Sequence, residues 1–380
     1  MHSEDTILLD GNRHPLYVML KPVGSRCNLK CRYCYYLSKH ELYPEGRQQM
    51  DLPLLETFVR QYLEAQTQPE VLFTWHGGEP LLRGIEFYRK ALQLQRQYGH
   101  GRVIDNCIQT NGTLLTDEWC EFFHDNNFLV GISIDGPKEY HNPLRSQSFA
   151  RVAEGIQLLN RHGVQWNAMA VVNNLNVRNA RRFYRFFKDM GCQFLQFEPI
   201  IERIGDDGHL LAPNEKGGTL TPESVLPGEY GQFLCDIFDE WHDGGDIGKI
   251  FIQHFEAVLA NIYGVPPGIC SLAPYCGQAA AMEHNGDLYS CDHFVFPEYR
   301  LGNIREHTIT EMMYSEQQRN FGYAKRSSLP PSCMQCRWLR LCNGECPKNR
   351  FTPDGSNYLC ESYRMFFEYA MPRLLKIDVG

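Results

Sequence analysis

The chain has 380 residues, enough for two or three domains and a sizeable buried core. Hydrophobic residues make up 43% and charged residues 22%, an ordinary globular mixture, and the formal net charge of −8 argues against nucleic acid as a partner. There are 15 cysteines. The opening MHSEDTILLD has acids and no long apolar run, so no secretory signal is expected, and no stretch approaches the ~18 apolar residues of a membrane span. A cytoplasmic, membrane-free protein is therefore expected, where disulfides are disfavoured and many cysteines point to metal.

From Leu16 to Ile200 the pattern alternates strand and helix. LYVMLKP reads as a short apolar strand. DLPLLETFVRQYLEAQ follows as a helix capped by Asp51. EVLFTWHGGEP is a strand running into a glycine turn, and IEFYRKALQLQRQYG a helix closing on glycine. RVIDNCIQTNG, FLVGISIDGP, VQWNAMAVVN and CQFLQFEPI are further strands. TDEWCEFFHDNN (opened by Thr116), SFARVAEGIQLLNRHG and VRNARRFYRFFKDMG are the helices between them. Six βα-type steps imply a parallel sheet, either doubly wound or an incomplete (β/α) barrel. Polar and glycine residues gather at the strand ends: Lys21, His76 to Glu79, Thr110 to Thr113, Ser133 to Gly136, Asn173 and Glu198. Both architectures place chemistry there. Glu202 to Gly228 reads as a long polar loop, followed by the helix PGEYGQFLCDIFDEWHDG. After about Ile250 the βα rhythm stops and a cysteine-rich region begins.

The cysteines fall into three sets. Cys107, Cys120, Cys192 and Cys235 lie in strand-like or helix-like runs and are expected to be core residues. Cys27, Cys31 and Cys34 follow the first strand with spacing C-x3-C-x2-C. A closed cubic [4Fe–4S] cluster takes four thiolates, so three leave one iron open for another ligand. A structural zinc site would need a fourth protein ligand, for which His40 is a candidate. The other eight are Cys270, Cys276, Cys291, Cys333, Cys336, Cys342, Cys346 and Cys360. Two closed zinc sites or two [4Fe–4S] clusters would use them equally well, and spacing does not partition them.

CNLKCRYCYY, with GGEP (Gly77 to Pro80) after the second strand, resembles the radical S-adenosylmethionine (SAM) enzymes. In order along nearly the whole chain, CNLKCRYCYY, GGEP, QTNGTLL, VGISIDGPKEYHN, FLQF, CDHFVF with YRLGNI, and the C-terminal cysteine block resemble the anaerobic sulfatase-maturating enzymes. These are radical SAM proteins with a C-terminal SPASM domain. The resemblance implies an α/β fold: a partial (β/α)6 TIM-like radical SAM barrel over residues 1–250, then a cysteine-rich SPASM domain over residues 251–380 holding two auxiliary iron–sulfur clusters.

It further implies that Cys27, Cys31 and Cys34 hold the SAM-binding cluster, with SAM contacted by Tyr33, Gly78, Ser133, Arg145 and Ile201. The plainer alternatives are that Ser133 caps a turn and Arg145 is a surface charge. Auxiliary cluster I would be held by Cys270, Cys276, Cys291 and Cys346, and auxiliary cluster II by Cys333, Cys336, Cys342 and Cys360. Asp292 would be the catalytic base, within reach of the proton it removes; the alternative is a carboxylate occupied by backbone N–H groups. His76 stands where relatives can have glutamine, and it and His293 lie near the motifs without an assigned role.

The implied activity is oxidation of a cysteine or serine in a sulfatase active-site motif to Cα-formylglycine under anaerobic conditions. The reduced SAM cluster would split SAM into methionine and a 5′-deoxyadenosyl radical, which takes a hydrogen from the substrate β-carbon. Asp292 would take the thiol or hydroxyl proton, and an auxiliary cluster the remaining electron. Implied partners are an unfolded sulfatase polypeptide with a C/S-x-P-x-R motif and a reductant such as flavodoxin or ferredoxin. The alternative is another SPASM peptide maturase, forming thioether or carbon crosslinks.

Overall fold

The structure, a computed structural model, describes residues 15–36, 39, 42–43, 49–213 and 215–377. His40 lies outside them. Among the described residues, apart from one two-residue pair of strands described below, the strands are β1 (Tyr17–Leu20), β2 (Glu70–Trp75), β3 (Val103–Thr110), β4 (Leu129–Ser133), β5 (Trp166–Val172), β6 (Phe194–Pro199), β7 (Phe251–Ile252), β8 (Ala279–Met282), β9 (Asp287–Tyr289) and β10 (Arg300–Asn303). The longer helices are α1 (Leu52–Ala65), α2 (Ile85–Tyr98), α3 (Asp117–Asp125), α4 (Phe149–Arg161), α5 (Ala180–Asp189), α6 (Pro227–Asp243), α7 (Gln253–Tyr263) and α8 (Cys360–Leu374). No helix among the described residues is long and apolar enough to cross a membrane.

The chain forms two compact units. The first takes the described residues up to Ile132, then Ala150–Trp166 and Cys276–Ala324; the second takes Ser133–Phe149, Asn167–Tyr275 and the described residues from Lys325 onward. In the first unit β1, β2, β3 and β4 pair in parallel in chain order, with Leu20 beside Trp75 and Trp75 beside Ile108. A doubly wound sheet reverses its strand order at a switch point. This one does not, which is the winding of a (β/α) barrel wall and decides between the two architectures left open by the sequence. On the other side of β1, β8 pairs in parallel and β9 and β10 follow antiparallel. In the second unit β5, β6 and β7 pair in parallel.

Local sequence explains most of this. Along β2, Val71, Phe73 and Trp75 are buried while the intervening residues are not, the period-two pattern of a pleated strand. Phe73 and Trp75 pack on Phe58, Tyr62 and Tyr88 from α1 and α2, each ring contributing about 1.5–3 kcal/mol of burial. The second unit has its own aromatic core of Phe183, Phe197, Phe233, Phe255 and Phe366. Asp51 caps α1 by accepting from Leu54 N at 2.7 Å, and Thr116 caps α3 by accepting from Trp119 N at 3.3 Å. Cys120, Cys192 and Cys235 are buried and Cys107 half-buried, as expected of core thiols.

The structure departs from expectation in places. Gly99, read as the turn closing α2, keeps a helical φ of −71°, and the left-handed steps fall on His100 and Gly101. The run from Val177 begins as a separate 3-10 turn, with α5 starting only at Ala180. The loop read from Glu202 to Gly228 contains a small antiparallel pairing of Arg203–Ile204 with Thr219–Leu220. Beyond Ile250, where the alternation stops, the chain forms α7, β8 and α8, and α8 buries Tyr363, Phe366, Phe367, Ala370 and Leu374 at helical spacing.

Candidate active site

In the first unit, the loop after β1 carries Cys27, Cys31 and Cys34, with Tyr33 half-buried among them. The GGEP turn after β2 packs directly on its entry. Gly78 N–H donates to Gly24 O and Glu79 N–H to Arg26 O, both at 2.8 Å. A Cβ on Gly78 would stand 2.1 Å from Arg26 O, and one on Gly77, at φ +113°, 2.8 Å from Gly24 O. Only glycine permits this approach of backbone to backbone. Glu79 is fully buried and accepts from Thr110 Oγ1, Asn111 N and Leu81 N. It thereby ties the turn to the TNG end of β3. Asn111 Nδ2 in turn lies 3.6 Å from Cys27 Sγ. The motifs QTNG and GGEP are thus one hydrogen-bonded platform under the cysteine loop.

Asp292 follows Cys291 at the end of the β9 segment, in the same unit, and sits in a nest of charged and phenolic groups. Lys21 Nζ is 2.5 Å from Asp292 Oδ1 and 3.1 Å from Glu283 Oε1. The Tyr35 hydroxyl donates to Asp292 Oδ2. Lys39 Nζ donates to Asp292 O at 2.8 Å and lies over the rings of Tyr35 and Tyr36, 4.5 and 4.9 Å from their centroids. Among the described residues the closest partners of this carboxylate are the side chains of Lys21 and Tyr35. Burial alone would raise the Asp292 carboxyl; Lys21 and Lys39, then His76 and His293, hold it well below the usual carboxylate range. Burial, then the neighbouring Lys21, brings the Lys39 ammonium down to about 7.

His76 accepts from Gly77 N–H on Nδ1 at 2.8 Å, with the Tyr36 hydroxyl 3.0 Å from the same atom. Burial lowers it to about 4, so at neutral pH it is an uncharged ring with its other nitrogen protonated. His293 is exposed, its ring 6.0 Å from that of Tyr35. Sequence reasoning marked Lys21 as a strand-end residue but gave no role to Tyr35 and Tyr36, the last two residues of CNLKCRYCYY, and passed over Lys39 and Glu283, which lie in no motif.

The second unit holds the other SAM-contact candidates. Ser133 ends β4 and is half-buried. Arg145 is buried rather than a surface charge, 8% exposed, with Nη1 3.4 Å from Asp135 Oδ1. Asp135 Oδ1 also accepts from Val171 N–H at 3.0 Å, anchoring the pair to the end of β5. Ile201 is buried just past the end of β6. Ser133 and Ile201 thus lie at strand ends, where a barrel gathers its ligand contacts, and Arg145 reaches one through Asp135.

Of the auxiliary-cluster candidates, Cys276 and Cys291 belong to the first unit and Cys270 and Cys346 to the second. Cys333, Cys336, Cys342 and Cys360 line one cavity of about 1240 Å³, with Trp338, Tyr363 and Phe367 on its wall. Burial raises all of Cys333, Cys342 and Cys360, Cys342 to about 12, and the thiols raise one another in addition. Such a set is poorly stable as free thiolates and is relieved by metal. Among the described residues no three His, Cys, Asp or Glu side chains converge tightly enough for a single metal ion. Four thiols lining one cavity suit a cluster ligated at its corners.

The Radical SAM superfamily pattern matches residues 22–187, and an iron–sulfur cluster-binding (SPASM) domain matches residues 270–337. The fold and these matches define a radical SAM enzyme with a SPASM domain, a class that takes S-adenosylmethionine and iron–sulfur clusters as cofactors. The chain is 56% identical over 373 residues to a serine-type anaerobic sulfatase-maturating enzyme of Bacteroides thetaiotaomicron, covering 94% of this chain and 90% of that one. It is 34% identical to a cysteine-type anaerobic sulfatase-maturating enzyme of Clostridium perfringens, covering 96% and 98%. Native anSMEcpe with bound AdoMet and Kp18Cys peptide superposes with a TM-score of 0.84 at 34% identity, over 95% of this chain and 98% of that one. The chain belongs to the anaerobic sulfatase-maturating enzymes.

Proposed function

We propose that this chain oxidises the β-carbon of a serine or cysteine in an unfolded sulfatase segment, at a C/S-x-P-x-R motif, to Cα-formylglycine. The observation that carries the reading is the Asp292 nest: an ionised carboxylate, one residue from a cluster-ligand cysteine, in a chain of this family. Bound through the Cys27, Cys31 and Cys34 cluster, SAM supplies the hydrogen-abstracting chemistry that the side chains themselves lack.

The rest falls to the protein. Tyr33, Gly78, Ser133, Arg145 and Ile201 orient SAM, and the GGEP turn holds the loop that bears the three cysteines. Asp292 takes the hydroxyl or thiol proton of the substrate. Lys21 and the Tyr35 hydroxyl keep its carboxylate charged and aimed, so it stands ready as an acceptor at neutral pH. Cys270, Cys276, Cys291 and Cys346 ligate auxiliary cluster I; Cys333, Cys336, Cys342 and Cys360 ligate auxiliary cluster II. The barrel is assigned to residues 1–250 and the auxiliary-cluster domain to residues 251–380. The protein works in the cytoplasm with a reducing electron donor such as flavodoxin or ferredoxin.

Anaerobic incubation with SAM, a reductant and paired serine- and cysteine-containing sulfatase peptides, read by mass spectrometry, tests the reading. The serine peptide is expected to lose the mass of H2, matching the 56% identity to a serine-type relative. Deoxyadenosine formed with neither peptide altered contradicts it.

A further inference from the structure

The backbone between Cys342 and Cys346 is unusual. Asn343, Gly344 and Glu345 take successive positive φ values of 46°, 70° and 51°. Left-handed residues normally occur singly, and non-glycine ones persist only where their surroundings impose them. At Gly344 a Cβ would stand 2.2 Å from Leu329 Cδ2 and 2.8 Å from Arg350 Nη2, so a side chain here would displace the Arg350 guanidinium or Leu329.

One guanidinium imposes the run. Arg350 donates from Nε to Gly344 O at 3.0 Å and from Nη2 to Asn343 O at 3.3 Å and Glu345 O at 3.1 Å. Its Nη1 donates to Lys325 O at 2.6 Å. Lys325 is itself fully buried and donates from Nζ to Cys270 O at 2.5 Å and Ser271 O at 2.7 Å. Asn343 Nδ2 reaches Leu272 O at 2.8 Å, and Asn357 Nδ2 holds Glu345 Oε2 at 2.7 Å and Cys346 O at 3.3 Å. Gly344 N–H, oriented by the same lock, points at Cys342 Sγ at 3.4 Å. Arg350 Nη1 also reaches Ser328 Oγ at 3.3 Å, and the rest of these bonds lead to residues 270–272 and 342–346, around Cys270, Cys342 and Cys346.

We infer that Arg350 is a positioning residue shared by the two auxiliary clusters. By locking residues 343–345 it fixes Cys342 of cluster II relative to Cys346 and Cys270 of cluster I, so the two ligand environments are set together. The inference rests on the ligand assignment proposed above. Hydrogen bonds to ligand sulfurs tune cluster properties, and the Gly344 bond to Cys342 depends on the lock. A lysine would keep the charge but not the planar five-donor fork that spans several carbonyls.

The experiment is an EPR-monitored redox titration of the anaerobically reconstituted full chain, comparing wild type with Arg350→Lys. Both auxiliary-cluster signals are expected to change together in midpoint and line shape, while the SAM-cluster signal keeps its wild-type response to SAM. Unchanged auxiliary signals, or a change confined to one auxiliary cluster, would overturn the inference. Should Arg350→Lys fail to fold, Asn343→Gly carries the test: it keeps the left-handed backbone, removes the bond to Leu272, and is expected to give the same joint change at smaller size. Cys342→Ala and Cys346→Ala separate the two levels of the argument. If they delete different auxiliary signals the ligand assignment stands; if they delete the same one it fails, and the inference fails with it.

Discussion

At the scale of single residues, Asp292 is held by partners from far along the chain: Lys21 sits 271 positions earlier and Lys39 253. Asp292 itself was legible, because it follows Cys291 in a recognisable motif. Its electrostatic surroundings were not, because no local pattern says that a lysine after the first strand and another after the cysteine loop meet one carboxylate. Asp292→Asn is expected to keep SAM cleavage and lose formylglycine formation. Lys21→Ala strands Asp292 and Glu283 without their closest cation, and loss of a buried partner costs about 3–5 kcal/mol, readable as a lowered denaturation midpoint. A second buried titrating group, in the other unit, gives a pH prediction. Burial, then Arg145, lowers His141 to about 3. Its unfolded form takes a proton below about 6.5 while the folded form does not, so stability falls as pH drops through that window. The loss from His141 alone is about 2 kcal/mol at pH 5. His141→Gln is expected to flatten the fall in chemical-denaturation stability between pH 7 and pH 5; an unchanged slope contradicts the assignment.

Among elements, the strands and helices up to Ile200 were largely readable, since alternation and capping are local properties. Asp51 and Thr116 cap the helices they were expected to cap, and Asp51→Ala is expected to cost about 1 kcal/mol. What the sequence left open was winding, because strand order depends on which neighbours pair. The parallel order from β1 to β4 supplies it. Past Ile250 legibility fell for a physical reason: β8 and the helical turns at Pro331–Met334 and Leu339–Cys342 span four residues each, too few to display a period. The GGEP turn shows a motif whose constraint is purely steric. Gly78→Ala would press a Cβ into Arg26 O, and the cysteine loop must shift. Deoxyadenosine production is expected to fall at least tenfold, a barrier rise of about 1.4 kcal/mol, while auxiliary-cluster absorbance persists. Production at the wild-type rate would show that the turn tolerates displacement.

For the molecule as a whole, 15 cysteines resolve into 3 and 4 and 4 proposed ligands and four core thiols. The odd total follows from an open cluster whose fourth iron is left to SAM. Reconstitution under strict anaerobiosis is expected to load roughly twelve irons per chain, three four-iron clusters. Cys34→Ala should abolish deoxyadenosine production and leave the auxiliary signals in place. The central claim is that Asp292 serves substrate oxidation and not SAM cleavage. Its most direct test is a single anaerobic assay of wild type and Asp292→Asn with a serine sulfatase peptide, quantifying deoxyadenosine and formylglycine in the same mass spectrum. The account predicts both products from wild type, and deoxyadenosine without formylglycine from the variant. Formylglycine at the wild-type yield from Asp292→Asn would contradict it.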